Sequence, residues 1–232
     1  IRDRNFIDAL KNTIILNLLD LVIGTPMPIL MALLLNELAF PKFKRVAQTV
    51  LYLPHFLSWV IISSLSLRLL ATNDGLVNQI FGTNIAFLGT ENNWRATYIV
   101  LGIWKECGWN TIIYLAALTG ISPELYEAAA IDGAGIWQRI IHIMIPAIKK
   151  LAGTLLILQI ISVFQIMYEP MVLTKGGPDN ASLSLMQLMW QYAFGGSMNY
   201  GKASAVAVIV TLILLVMTAI YSYFDRKESD WD

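Results

Sequence analysis

The chain has 232 residues, of which 56% are hydrophobic and 14% charged, and its formal net charge is zero. With a mean hydropathy of +0.61 it is more apolar than a soluble domain of this size, which indicates an integral membrane protein. The basic residues are dispersed, which argues against nucleic-acid binding. A single cysteine, Cys107, excludes an internal disulfide, and with only two distant histidines a metal site is not expected.

Five stretches are long and apolar enough to cross the hydrocarbon core as helices, which takes about 20 residues each. They lie near 10–35, 46–70, 97–119, 151–172 and 203–224. The predicted fold is therefore all-α, a polytopic membrane helical bundle in which residues 1–232 form a single transmembrane domain. The chain begins at Ile1 with a charged and polar run that leads directly into the first span. We therefore expect that an N-terminal part is missing.

Basic residues in the short loops predict the orientation in the membrane. They cluster after the first span and before the fourth, at Lys42, Lys44, Arg45, Lys149 and Lys150. We expect both places to lie on the cytoplasmic side. The opposite side then holds two longer segments, 71–96 and 173–202, with short helices predicted at Leu76–Phe81 and at 182–194.

A polar segment, 122–146, lies between the third and fourth spans. Ser122 is a good N-cap and Pro123 suits the first turn of a helix over 123–131. The three alanines at 128–130 have little side-chain bulk, so another surface can approach their backbone closely. Gly133 permits a sharp turn, and a second helix is predicted from about 136 to Pro146. The segment indicates a docking site for a partner, or else an ordinary helix–turn–helix connection between two spans.

Polar side chains are also predicted within the spans. Lys105 and Glu106 lie near mid-membrane depth, since Glu106 is on the order of 20 Å from the end of its helix. Gln159 and Ser162 share one face of the fourth span at a similar depth. Because burying charge in hydrocarbon is costly, these residues indicate a water-filled path, in which Trp109 suits stacking against a sugar. A structural ion pair and interhelical hydrogen bonds are the alternatives.

The stretch from Glu127 to Pro146 resembles, nearly position for position, the EAA signature of permease subunits of binding-protein-dependent ABC importers. That signature reads EAA, three residues, Gly, nine residues, Ile, any residue, Leu-Pro, and this chain departs from it at Ile145. Essentially the whole chain is similar to sugar-type permeases of the maltose-permease group, especially those for oligosaccharides and polysaccharides. The supporting stretches are FKRVAQTVLYLPHFLSW from Phe43, DGLVN from Asp74, PELYEAA from Pro123 and TKGGP from Thr174. Lys175 departs from the glycine often found there.

The resemblance implies the type I importer permease fold, with a sixth helix upstream of this chain, and it implies roles for single residues. Coupling to an ATPase is implied for Glu127, Ala128, Ala129, Asp132, Gly133 and Arg139. A substrate path is implied at Lys105, Glu106, Trp109, Gln159, Ser162, Val163 and Ile166. Lys105 could pair with an acidic sugar such as a uronate, although Glu106 beside it argues against a simple anion site.

The resemblance further implies a transport subunit that is not an enzyme and that has no cofactor, catalytic residue or metal site of its own. Its implied partners are a cytoplasmic ATPase dimer carrying ATP and Mg²⁺, a second homologous permease, an extracytoplasmic solute-binding protein, a carbohydrate and membrane lipid, but no nucleic acid. The implied location is the bacterial cytoplasmic membrane, which the chain crosses several times. Consistent with ATP binding elsewhere, the sequence has no GxxxxGK[ST] phosphate loop.

Two other classes of protein are alternatives to this one. An ion-coupled secondary transporter using Lys105 and Glu106 as a relay needs no ATPase, and it gives the 122–146 segment no purpose. An intramembrane enzyme is disfavoured because the sequence has neither an HExxH zinc motif nor a GxSxG elbow.

Overall fold

The structure is a computed structural model, and it describes residues 3–38, 40–164, 166–196 and 198–229. Every regular element in these residues is helical, which confirms the predicted all-α class. The α-helices in chain order are α1 (Arg4–Leu19), α2 (Pro26–Glu37), α3 (Pro41–Tyr52), α4 (Trp59–Leu69), α5 (Leu76–Phe81), α6 (Glu91–Thr119), α7 (Pro123–Ile131), α8 (Ile136–Arg139), α9 (Ile145–Val163), α10 (Tyr168–Thr174), α11 (Leu185–Phe194) and α12 (Tyr200–Ser229).

The chain divides into two compact units, which are described separately. Unit 1 comprises Ile1–Leu19, Trp59–Tyr98 and Ile157–Asp232, and unit 2 comprises Asp20–Ser58 and Ile99–Leu156. Helices α6 and α9 each contribute residues to both units.

Unit 1 is held together by an apolar core between α1, α11 and α12. The buried side chains of this core are Phe6, Ala9, Leu183, Leu185, Leu188, Val206 and Val210. At the start of α1, the Tyr192 hydroxyl and the Lys202 ammonium both donate to the Asp3 carboxylate, at 2.8 and 3.0 Å. The bond from Lys202, followed by that from Tyr192, lowers the pKa of Asp3. Burial, reinforced by Asp3, raises the pKa of Tyr192 to about 12.

A buried polar network in unit 1 joins α1, the start of α6 and the loop before α11. The guanidinium of Arg95 donates to the side-chain oxygen of Asn12 at 2.8 Å and pairs with Glu91 at 2.5 Å. The Asn12 amide in turn donates to the backbone carbonyls of Asn180 and Leu183, at 2.7 and 3.3 Å. The Asn12 amide and Arg95 Nη2 thereby gain partners, as apolar surroundings require, whereas the buried Arg95 Nε has none in the part of the chain that the structure describes.

Unit 2 has its own apolar core, built from α2, the second half of α6, the π turn Ile140–Met144 and the start of α9. Its buried members are Ala32, Leu33, Leu35, Tyr114, Leu115, Leu118, Ile140, Met144 and Ile148. Helix α3 approaches α6 so closely at Gly108 that a Cβ there would overlap the backbone carbonyl of Leu51. The absence of a side chain at Gly108 therefore permits this contact.

Prolines interrupt two of the predicted spans. The second predicted span, 46–70, is divided because α3 ends at Tyr52 and a 3₁₀ turn, Leu53–Phe56, contains Pro54. The fourth, 151–172, is divided because α9 ends at Val163 and α10 begins at Tyr168. Pro170 has no N–H to donate to the carbonyl of Ile166. The Ser184 hydroxyl donates a hydrogen bond to that carbonyl instead, at 2.5 Å. The expectation of one continuous helix in each of these two stretches is therefore wrong.

By length and composition, three helical segments of the described residues could cross a membrane: Arg4–Glu37, Ile136–Ser162 and Tyr200–Ser222. A fourth is added if Pro41–Phe56 and Trp59–Leu69 are taken as one broken span. Helix α6 covers the predicted third span. It is not among these segments, because Lys105, Glu106 and other polar residues lower its mean hydropathy. The predicted number of five spans stays a prediction.

Candidate functional site

The 122–146 segment begins as predicted, with a capped helix α7. The Glu124 amide donates to the Ser122 hydroxyl at 3.4 Å, and Pro123 occupies the first turn. The helix ends in a Schellman-type motif, in which the Ala134 amide donates to the Ala129 carbonyl at 2.8 Å. Gly133 adopts φ +75°, in the left-handed region that favours glycine. The predicted helix 123–131 and the glycine turn are both confirmed.

The second helix of this segment differs from its prediction, because it does not end at Pro146. Helix α8 passes through a π turn, Ile140–Met144, into α9, which continues to Val163. In that turn the Ile145 amide donates to the Ile140 carbonyl, one residue farther back than in an α-helix. Pro146 comes just after this π turn, which lets the helix continue past a residue that has no N–H.

The predicted coupling residues lie together on and just beyond α7, except for Arg139. Glu127, Ala128, Asp132 and Gly133 are exposed, and Ala129 is half-buried. Arg139 instead donates to the Glu37 carboxylate at the end of α2, at 2.9 Å, and both side chains are partly buried. Burial raises the pKa of the Tyr126 phenol, which packs on the unit 2 core and fixes α7 there.

Exposed apolar side chains accompany these residues and were not predicted as part of the site. Ile131 is 88% exposed and Trp137 is 71% exposed, and Leu125 and Ile136 are also exposed. We define these four residues as the apolar tip of the 122–146 segment. Large apolar side chains on an otherwise polar loop mark an interaction surface, and a tryptophan is a common anchor in such surfaces. The signal was present in the sequence as apolar residues within a polar loop.

The first half of the predicted substrate path lies within unit 2 and forms a cluster with His55. The Glu106 carboxylate lies 2.9 Å from the Lys105 ammonium and 2.8 Å from His55 Nδ1. The Lys105 ammonium also donates to the His55 backbone carbonyl at 2.8 Å, and Lys105 is buried. The imidazole stacks on the Trp109 ring, with centroids 4.4 Å apart and planes 5° from parallel. The sequence did not identify His55 as a member of this site.

The second half of the predicted path lies within unit 1. The Ser162 hydroxyl is exposed and donates to the backbone carbonyl of Gln159 at 2.8 Å. Ile166 is half-buried, and its carbonyl accepts a hydrogen bond from the Ser184 hydroxyl. The predicted contact at the Val163 side chain lies outside the described side chains. The assignment of both halves to one substrate path stays a prediction.

Several known proteins are similar to this chain over nearly its whole length. A polygalacturonan/rhamnogalacturonan transport system permease, YteP of Bacillus subtilis (strain 168), is 42% identical over 221 residues, which are 92% of this chain and 68% of YteP. A crystal structure of a bacterial ABC transporter that imports the acidic polysaccharide alginate matches with a TM-score of 0.92 and 32% identity, over 97% of this chain and 80% of the other. A second structure of an alginate transporter, in complex with a periplasmic protein that holds an alginate pentasaccharide, matches with a TM-score of 0.92 and 33% identity, with the same shares covered.

The family model of binding-protein-dependent transport system inner membrane components matches residues 12–230. Because these relatives are permease subunits of ABC transporters, the prediction of a transport subunit that is not an enzyme is confirmed. The chain belongs to the family of inner membrane components of binding-protein-dependent transport systems.

Proposed function

We propose that this chain is the permease subunit of an ATP-driven importer of acidic oligosaccharides in the bacterial cytoplasmic membrane. The observation that carries the proposal is the similarity over nearly the whole chain to one permease of a polygalacturonan system and to one alginate importer. Both polymers consist largely of sugars that bear carboxylates. The substrate class we propose is therefore a short oligosaccharide that contains uronate residues.

The partners in this proposal are supported by the same comparisons and by the 122–146 segment. An extracytoplasmic binding protein delivers the sugar, as is supported by the alginate transporter that was solved with its periplasmic protein. A second, homologous permease completes the transmembrane part. A cytoplasmic ATPase dimer that binds ATP and Mg²⁺ receives α7 and the apolar tip, where small alanine side chains allow close approach. Membrane lipid surrounds the remaining apolar faces.

Transport in this proposal proceeds by alternating access. Closure of the ATPase dimer moves α7, and unit 2 carries this movement because Tyr126 and the Arg139–Glu37 ion pair join the segment to its core. Glu127 and Asp132 supply charge at the contact, and Gly133 supplies the turn. An ion-coupled transporter is not favoured, because a docking segment for an ATPase has no role in it.

Crosslinking tests the proposal directly. Ala129→Cys, in the chain produced in its native host, should crosslink to a co-purifying ATPase when a short reagent with one thiol-reactive and one photoreactive end is added and illuminated. A cysteine at the exposed Arg68, on α4, is the matched control and should not crosslink to that ATPase. Cys107 is buried, so background reaction is expected to be low. Recovery of the chain without any ATPase, with or without crosslinking, would count against the proposal.

A further inference from the structure

Two of the three N–H donors of the Lys105 ammonium have partners within the protein. It lies 2.9 Å from the Glu106 carboxylate and donates to the His55 carbonyl at 2.8 Å, and the residue is buried. Its charge is also balanced by Glu106. Because Lys105 is buried, little of it is accessible to a sugar carboxylate, and its position does not favour direct binding of a uronate.

His55 is the other group in this cluster that can carry positive charge. Its Nδ1 lies 2.8 Å from Glu106 Oε2, and a carboxylate can only accept a hydrogen bond, so the proton must be on Nδ1. Nε2, on the far side of the ring, has no hydrogen-bond partner among the residues that the structure describes. Nε2 accepts a hydrogen bond when the imidazole is neutral and donates one when it is protonated.

Two aromatic rings contact the His55 imidazole. The His55 imidazole stacks on Trp109, and Phe56 meets the Trp109 ring edge-on, with centroids 6.1 Å apart and planes 83° from parallel. Trp109 and Phe56 are exposed. A sugar ring has an apolar face that packs well on such rings, while its hydroxyls and carboxylate need polar partners at the edge. The cluster offers both.

The exposed side of this cluster is not suited to lipid. The Glu106 side chain is 39% exposed although it lies near the middle of α6, and a charged carboxylate facing hydrocarbon is costly. Water or a partner protein must therefore cover this side. A water-filled substrate path supplies that environment.

We infer that His55 is a specificity-determining contact for the transported sugar, with protonated Nε2 donating to a uronate carboxylate and Trp109 and Phe56 supporting the sugar ring. Lys105 and Glu106 then act as positioning residues: their charges cancel, and Glu106 fixes the imidazole. The charged side chains that contact His55 in the described residues are these two, so a protonated imidazole adds one positive charge opposite the single negative charge of a uronate. This inference rests on the proposed function and names the group that would recognise its acidic substrate.

The test compares a galacturonate trisaccharide with its methyl ester, which has the same shape without the charge. Uptake is measured into proteoliposomes that contain the complete complex, with the same binding protein throughout, so that delivery is constant between variants. His55→Gln keeps an amide near the position of Nε2 but cannot become charged. We expect it to lower uptake of the uronate about tenfold, the size typical of a lost charge-assisted hydrogen bond, and uptake of the ester less than about twofold. The same exchange at His142, which is exposed on the π turn, should leave the ratio of the two substrates unchanged.

The ratio of the two substrates separates recognition from a structural role. A purely structural defect should lower uptake of the uronate and of its ester equally, whereas loss of the charged contact should lower uptake of the uronate more. If His55→Gln does not accumulate, His55→Phe keeps a ring for stacking and tests the same ratio.

Each other outcome has a distinct meaning. An equal loss of both substrates in the variants, or an unchanged preference for the uronate, would overturn the inference about His55. Loss of the preference in Lys105→Met but not in His55→Gln would return the role to Lys105. Failure of the wild type to import either sugar with ATP would instead contradict the proposed function.

Discussion

The ion pair between Arg139 and Glu37 should stabilise the attachment of the 122–146 segment to the rest of unit 2. Arg139 Nη2 lies 2.9 Å from Glu37 Oε2, and the side chains are 26% and 16% exposed. At an effective dielectric constant of about 20, charges this close attract by about 6 kcal/mol, but desolvation of two partly buried groups offsets much of this. We therefore expect a coupling energy of about 1–3 kcal/mol, above the range of exposed surface pairs.

A double-mutant cycle measures that energy. Arg139→Gln and Glu37→Gln should each lower the thermal midpoint of the purified complex by roughly 4–8 °C, taking about 2 kcal/mol and the usual scaling for a chain of this size. The double variant should be less destabilised than the sum of the single ones, because neither charge is left unpaired. Arg68→Gln, at an exposed arginine of α4, is the control and should change stability by less than about 0.5 kcal/mol. Additive effects, or single variants that melt like the wild type, would refute a stabilising pair.

Three further substitutions test the backbone. Gly108→Ala should destabilise the protein by about 1–3 kcal/mol, because its Cβ would overlap backbone atoms of Leu51 that cannot move away. The control is Gly102→Ala on the same helix, where a Cβ meets open space and should be neutral or slightly stabilising. Equal thermal midpoints for the two variants would refute the close approach of α3 to α6. Gly133→Val should reach the membrane but reduce sugar-stimulated ATP hydrolysis, since a β-branched residue at φ +75° strains the turn. Gly133→Asn should retain more of this ATP hydrolysis, because asparagine tolerates the left-handed region better. Normal sugar stimulation in the valine variant would contradict the need for glycine at this turn. Lys175→Gly should raise the thermal midpoint slightly, because φ +53° costs a residue with a Cβ about 1 kcal/mol, and a lower midpoint would argue against strain there.

Local signals in the sequence were sufficient for helix α7 and the turn that ends it. Ser122 and Pro123 start α7 and Gly133 ends it, and each acts through the backbone of its own neighbours. The same local reasoning applies to Lys175, which departs from the glycine often found at this position in sugar permeases. The structure places that residue in the left-handed region, where glycine carries no Cβ penalty.

The breaks within the spans were missed although their cause was visible. Counting apolar residues over a window does not consider the missing N–H of Pro54 or Pro170, and these prolines divide the second and fourth predicted spans. At Pro146 the error was the opposite one: a helix end was predicted there, but the π turn before it lets the helix continue past this proline.

The contribution of His55 could not be predicted from the sequence. It lies about fifty positions before Glu106 and Trp109, and no periodicity relates a 3₁₀ turn to a distant helix. Its position depends on the packing of α3 on α6 at Gly108, which is a tertiary contact. Depth and polarity identified Lys105 and Glu106, but only their geometry shows that they engage one another and His55.

The central claim is that this chain imports an acidic oligosaccharide at the expense of ATP hydrolysed by a partner. The most direct measurement is uptake of a radiolabelled galacturonate oligosaccharide into proteoliposomes that contain this chain, the second permease and the ATPase, with the binding protein added. Uptake should require ATP and the binding protein, and it should persist when ionophores abolish every ion gradient. Uptake that follows an ion gradient and needs no ATPase would contradict the account.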